Sequence, residues 1–183
     1  MLSDADKRRF ETWVRNVSPR AIVYARSLLQ DQNQAEDVVQ ECLYRLLRRS
    51  EHYDLENDGM KLLFTSISNL CINQTTRKKY LLSLDGIKSG DDQPVALADR
   101  TALPPEVIVQ YQETQTRIRD ALLQLHPMQR AAVELRALGM SKEEIASTLE
   151  ISATNAGVLV YRARKALLER LPDLFAKDSN ESL

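Results

Sequence analysis

Apolar residues recur along the chain every three or four positions, the period of an amphipathic α-helix. Phe10, Trp13, Val14 and Val17 form the first stripe. Ser18-Pro19 predicts a break, because proline removes an N–H and crowds the preceding turn. Ile22, Ala25, Leu28 and Leu29 then resume the period. The polar run Asp31-Gln32-Asn33-Gln34 predicts a second break, with Asn33 as the N-cap. Val38, Val39, Cys42, Leu43, Leu46 and Leu47 make a wide apolar stripe beyond it. An acidic loop is expected over 52–59, then a further stripe of Leu62, Leu63, Ile67, Leu70 and Cys71. That stripe runs into the basic cluster Arg77-Lys78-Lys79.

The period fails over 83–94, which holds two glycines, a proline and several aspartates. Pro104-Pro105 follows; Pro104 turns Leu103 away from the helical region and Pro105 can open a helix. Helical spacing returns with Val107, Ile108 and Tyr111 and continues through Ile118, Ala121, Leu122 and Leu125. His126-Pro127 restarts the chain as turn chemistry, and Gly139 is expected to stop the helix that carries Ala131, Leu135 and Leu138. Ser141-Lys142-Glu143-Glu144 is a capping box, S-x-x-E, ahead of Ile145-Ala146. Ser152 or Thr154 caps the next helix. No useful alternation of period two occurs. The fold class is therefore all-α: two small helical domains, 1–80 and 105–175, joined by a flexible linker over 81–104, with a short tail over 176–183. The C-terminal domain is a helix-turn-helix.

Composition narrows the function classes. The chain has 183 residues, 43% hydrophobic and 28% charged, as expected of a soluble globular protein. No apolar run approaches the ~18 residues of a membrane span, and the polar N-terminus has no signal-peptide core. A cytoplasmic address is expected, without membrane insertion. Cys42 and Cys71 lack C-x-x-C spacing, which disfavours a disulfide framework or a structural zinc; both read as buried small hydrophobes. The net charge of −1 hides a pattern: +2 over 1–80, −4 over 81–113 and +1 over 114–183. No phosphate loop, dinucleotide fingerprint, nucleophile elbow or H-x-x-x-H is present, so no catalytic, metal or cofactor site is expected.

Three local patterns carry candidate chemistry. From Gly139 to Leu168 a short capped helix, a tight turn and a longer helix have the spacing of a helix-turn-helix. Its second helix would present N-terminal turns to a DNA major groove. Ser141, Ser152, Thr154 and Asn155 can bond phosphates or base edges, and Arg162, Arg164 and Lys165 can neutralise backbone charge. Spacing alone leaves an ordinary helical hairpin equally open. Asp37, Gln40 and Glu41 fall at i, i+3 and i+4, an acceptor patch for a partner's Arg or Lys or simply a solvated acidic face. Asn69 and its polar neighbours Ser66, Ser68, Asn73 and Gln74 lead into Arg77-Lys78-Lys79. They could read bases and hold phosphates, or the cations could merely complement a helix C-terminus.

Together the three patterns resemble the extracytoplasmic-function (ECF) group of sigma-70 family sigma factors. Glu36-Asp37-Val38-Val39-Gln40-Glu41 resembles the region 2.2 motif, and 63–73 with Arg77 resembles regions 2.3–2.4. The segments 121–130, 141–146 and 161–164 resemble region 4, and no region 3 domain fits between. The resemblance implies an alternative sigma factor, not an enzyme, which binds core RNA polymerase and promoter DNA and assists promoter opening. It implies that Asp37, Gln40 and Glu41 dock on the β′ clamp helices. It places Tyr53, Asn69, Arg77, Lys78 and Lys79 at the −10 element. It places Ser141, Ser152, Thr154, Asn155, Arg162, Arg164 and Lys165 at the −35 element, with neighbours on the β flap. An anti-sigma factor is a further partner known in the family. A sigma-like mimic that sequesters an anti-sigma factor, and a plain helix-turn-helix regulator, are the alternatives. Leu62 stands where the family usually has Trp, and Asn73 where it often has Asp. Glu150 stands at a turn position usually held by Gly; a positive φ there costs a non-glycine residue about 1 kcal/mol and predicts a distorted turn.

Overall fold

The computed structural model describes residues 4–49, 53–54, 57–85 and 105–175; the side chains of 4–7, 77–85, 105–107 and 175 lie outside that description. Among the described residues every regular element is an α-helix. They are α1 (Asp4–Leu29), α2 (Gln32–Arg48), α3 (Gly59–Asp85), α4 (Pro105–Leu123), α5 (Pro127–Ala137), α6 (Lys142–Thr148), α7 (Ala153–Arg170) and α8 (Pro172–Phe175). No helix among them is long and apolar enough to cross a membrane.

The first three helices pack pairwise into one unit. α1 corrects the expected break at Ser18-Pro19: the helix runs through it. Pro19 is exposed, so the bond its missing N–H would make faces solvent, while Val17, Ala21, Tyr24, Ala25 and Leu28 bury one uninterrupted face. The Ser18 hydroxyl also donates to the Val14 carbonyl at 2.7 Å. The cap of α2 shifts as well. Asp31, not Asn33, accepts from the Gln34 N–H at 2.9 Å, since its extended backbone leaves its carboxylate over the first turn. In the core the Tyr24 hydroxyl meets Ser68 Oγ at 2.7 Å, and Ser68 in turn donates to the Phe64 carbonyl. Both groups are buried, and the chain of bonds satisfies them. At the start of α3, Gly59 faces the Trp13 indole so closely that an added Cβ would lie 2.9 Å from Cζ2. α3 continues to Asp85, five residues into the segment read as linker; residues 86–104 lie outside the described residues.

Helices α4 to α8 build the second unit from local signals. His126 caps α5, its ring accepting from the Met128 N–H while Gln129 bonds back to its backbone. α5 closes at Gly139, whose φ of 91° lets the Gly139 and Met140 N–H groups reach the Arg136 and Leu135 carbonyls. Ala121, Leu125, Ala163, Leu167 and Leu171 form a small core between α4, α7 and the segment leading into α8.

The two units pack against each other. α5 lies on α1 and α3, and α6 on α3, so one apolar cluster runs from Tyr24, Leu28 and Phe64 to Ala131, Leu135 and Ile145. Arg130 sits at this seam, 3% exposed. Its Nε and Nη2 donate to the Leu122, Leu123 and Leu125 carbonyls, closing the α4–α5 corner. Its Nη1 crosses to the Ser27 and Leu28 carbonyls at 3.0 and 3.4 Å. Glu134, one turn on, lies near Ser27, whose hydroxyl donates to the Tyr24 carbonyl at 2.8 Å. Burial raises its carboxyl above the ordinary range, although Ser27 and Arg130 pull it down.

Candidate nucleic-acid interface

The acceptor patch lies on α2. Ala35, Val38, Val39, Cys42 and Leu46 are buried, which turns Asp37, Gln40 and Glu41 to the exposed side. Tyr44 falls on the same side, one turn beyond Gln40 and Glu41, and is 56% exposed. Glu41 already accepts from Arg45 Nε at 2.6 Å, an exposed i,i+4 pair of small stabilising value. The Arg48 guanidinium lies 5.9 Å from the Tyr44 ring centroid. The patch is thus not purely acidic. It is carboxylate, amide and aromatic in one stripe, edged by two arginines.

Behind that edge is a cleft of about 510 Å³. It is lined by Cys42, Arg45, Leu46, Arg48, Arg49, Tyr53, Leu62 and Ser66, so the end of α2, the segment after it and the start of α3 make its walls. Tyr53 is therefore brought to a basic, partly apolar pocket. On α3, Leu62, Ser66, Asn69 and Asn73 succeed each other at i, i+4, i+7 and i+11, one stripe leading away from the cleft. Asn69 and Asn73 are exposed. Leu62 holds the apolar position where an indole would have more area. Positions 77–79 continue α3, and the Arg77, Lys78 and Lys79 side chains lie outside the described ones. Arg45, Arg48 and Arg49 join the cleft only in the folded chain. Their i, i+3, i+4 spacing in the last turns of α2 was the available signal, and it reads equally well as C-terminal dipole complement. Cys42 and Cys71 are both buried, and burial pushes their thiols up to about 11 and about 12. They are packing groups, not nucleophiles.

The helix-turn-helix is α6, a turn and α7. Ser141 and Ser152 are the N-caps: Ser141 Oγ accepts from the Glu144 N–H at 3.1 Å, and Ser152 Oγ from the Asn155 N–H at 3.2 Å. Glu144 completes the box by accepting from the Ser141 N–H at 2.7 Å, and these bonds hold its carboxyl below the ordinary range. Both serines thus shape the helix starts before they can meet any ligand. Glu150 adopts φ 55°, the strained conformation expected of it. The turn closes nonetheless, with the Ile151 N–H on the Ala146 carbonyl at 2.9 Å, so the expected distortion does not occur. The buried Ile145, Ala146 and Leu149 hold the backbone where it is. On α7, Thr154 and Asn155 are exposed in the first turn, and Arg162, Arg164 and Lys165 further along. The helical twist puts Arg164 about 200° from Arg162. The three cations therefore flank α7 on two sides and do not form one patch.

Comparison with known proteins gives the same two units. Residues 13–80 match the family model of sigma-70 region 2. Residues 115–167 match the model of sigma-70, region 4. The chain is 26% identical over 151 residues to the ECF RNA polymerase sigma factor SigW of Bacillus subtilis (strain 168), covering 80% of each chain. It is 29% identical over 150 residues to SigX of the same organism, covering 79% of this chain and 74% of that one. In fold it is similar to the sigma factor RpoE in a co-crystal structure with the anti-sigma factor NepR from Bartonella quintana. The TM-score is 0.70 and the identity 24%, over 91% of this chain and 98% of that one.

Proposed function

The chain belongs to the sigma-70 family, and from that membership we propose how its surfaces divide the work of transcription initiation. It is an alternative sigma factor that directs RNA polymerase to promoters. In this reading the α2 stripe of Asp37, Gln40, Glu41 and Tyr44 docks on the β′ clamp helices of core polymerase, with the carboxylates taking basic side chains. The cleft beside it takes the unwound −10 strand. A volume of about 510 Å³ lies in the range of pockets that hold small ligands. Tyr53 offers a stacking face to an unpaired base, and Arg45, Arg48 and Arg49 offer charge to its phosphates. Asn69 and Asn73 continue the track with amides suited to base edges. Arg77, Lys78 and Lys79 supply further phosphate contacts. α7 enters the −35 major groove. The observation that carries the reading is the adjacency, at the end of α2, of the acceptor stripe and the arginine-lined cleft. A plain helix-turn-helix regulator, or a mimic, would leave both without a use.

The role needs no catalytic residue and no cofactor. It places the protein in the cytoplasm with the polymerase and the DNA. Binding energy for the flipped or unstacked base offsets the few kcal/mol of unstacking. The test is capture of a fluorescent single-stranded −10 oligonucleotide by the holoenzyme. Asn69→Ala and Tyr53→Ala should each weaken capture by about tenfold, with core binding unchanged. Capture that is indifferent to both variants would contradict the placement of the strand.

A further inference from the structure

The first turns of the outward side of α7 carry no cation, where a DNA-reading helix is usually basic. Ala156, Ala163 and Leu167 are its buried positions. The opposite side is therefore centred on Thr154, Val158, Tyr161 and Lys165, at i, i+4, i+7 and i+11. Val158 is 38% exposed and Tyr161 69%. Asn155 lies on one flank of this stripe. On the other flank is Gly157, where the Lys142 stem approaches to 3.4 Å of the position a Cβ would take. The Lys142 ammonium is drawn to Glu143 at 3.6 Å. The first cation on α7 itself is Arg162, nearly three turns from the N-terminus. So the turns that enter a groove deepest present two methyl-bearing side chains, an amide and an aromatic ring, and no guanidinium.

The base edges of the major groove carry one apolar group, the 5-methyl of thymine; guanine is read chiefly by Arg or Lys, and adenine by Asn or Gln. Resting on the reading of α7 as the −35 recognition helix, we propose that Val158 is a specificity-determining residue that packs on thymine methyl groups in the −35 element. Tyr161 extends this contact outward, and Asn155 reads a neighbouring adenine. The −35 element chosen by this protein is accordingly centred on A·T pairs. Arg162 and Arg164 on the two flanks, and Lys165 at the far end of the stripe, hold phosphates and set affinity without setting sequence.

The test uses the full chain assembled with core RNA polymerase and promoter fragments recovered by that holoenzyme from a library randomised at −35. The recovered fragments are remade with uracil for thymine, one position at a time, which removes the methyl and leaves pairing intact. At one or two positions the substitution should weaken holoenzyme binding about fourfold, the equivalent of about 0.8 kcal/mol for one buried methyl. Val158→Ala should show the same loss on thymine fragments and no further loss on uracil ones, the coupling expected of a direct contact. Val158→Thr, which keeps a methyl, should retain the discrimination and guards against a folding defect. Uracil fragments that bind as well as thymine ones, or a Val158→Ala loss equal on both, would overturn the proposal while leaving the initiation role standing. A holoenzyme that selects promoters no better than core alone would overturn both.

Discussion

Arg130 Nη1 donates to the Ser27 carbonyl at 3.0 Å, a bond between residues 103 apart that ties the region 4 unit to α1 of the region 2 unit. The guanidinium is almost fully enclosed, and every bond it makes is to a backbone carbonyl. A seam of this kind has a mechanical consequence. A compact chain of this length has a radius of gyration of about 16 Å, whereas promoter elements 25 base pairs apart are separated by about 85 Å along B-DNA. With the two units placed on these elements as proposed, the packed form would not reach both, and the seam is predicted to open in the promoter complex.

A reversible lock tests that opening. Ser27→Cys combined with Glu134→Cys puts two thiols at neighbouring positions across the seam. The oxidised, cross-linked protein should transcribe at least tenfold less than the same protein after dithiothreitol. Equal transcription before and after reduction would show that the seam stays closed in function.

Glu134 gives the seam a pH dependence. Its folded pKa is raised by burial, so the folded state binds the proton more tightly than the unfolded chain. Stability is then highest below the ordinary carboxylate value of 4.5 and falls as pH rises through the raised folded value. Glu134→Gln should remove that fall. The difference in urea midpoint between variant and wild type should grow in the variant's favour from pH 4 upward. A constant difference across that window would contradict the assignment.

The turn of the helix-turn-helix stores strain at a single residue. Glu150→Gly relieves a φ of 55° and should raise the stability of the region 4 unit by about 0.5–1 kcal/mol, read as a shift in the thermal midpoint. A fall in stability would mean that the Glu150 side chain compensates in a way its exposed position does not suggest.

Gly59 predicts the opposite sign. In Gly59→Ala the new methyl would press on the Trp13 indole at 2.9 Å, which should cost about 1–3 kcal/mol. A neutral result would mean that Trp13 swings aside freely.

These residues also mark how far the fold and site can be read from the chain. The capping box of Ser141 and Glu144 and the stop at Gly139 are legible because every atom involved lies within a few residues. The positive φ at Glu150 is legible through the turn it occupies, but not the closure of that turn, which the core beneath decides. Pro19 misleads for the same reason: a local breaker is overridden by an apolar face that continues across it. Asp31 caps α2 because the helix already begins at Gln32, which leaves Asn33 inside its first turn. Arg130 carries no local signal at all, because its acceptors are carbonyls and two of them are a hundred residues away. At the site, Asp37, Gln40 and Glu41 share a face as their spacing requires. Arg45, Arg48 and Arg49 become part of a cleft only once α3 is laid against α2. Val158 and Tyr161 look like core positions by type, and only the packing of Ala156, Ala163 and Leu167 turns them outward.

The most direct test of the account is run-off transcription with core RNA polymerase on promoters selected by the holoenzyme, comparing the wild-type chain with Asp37→Lys and Glu41→Lys. Both positions are exposed, so neither substitution should move the thermal midpoint by more than about 0.5 kcal/mol equivalent. The account predicts specific transcripts with the wild type and their loss with both variants, together with loss of core binding. Specific transcripts of undiminished yield from either variant would contradict it.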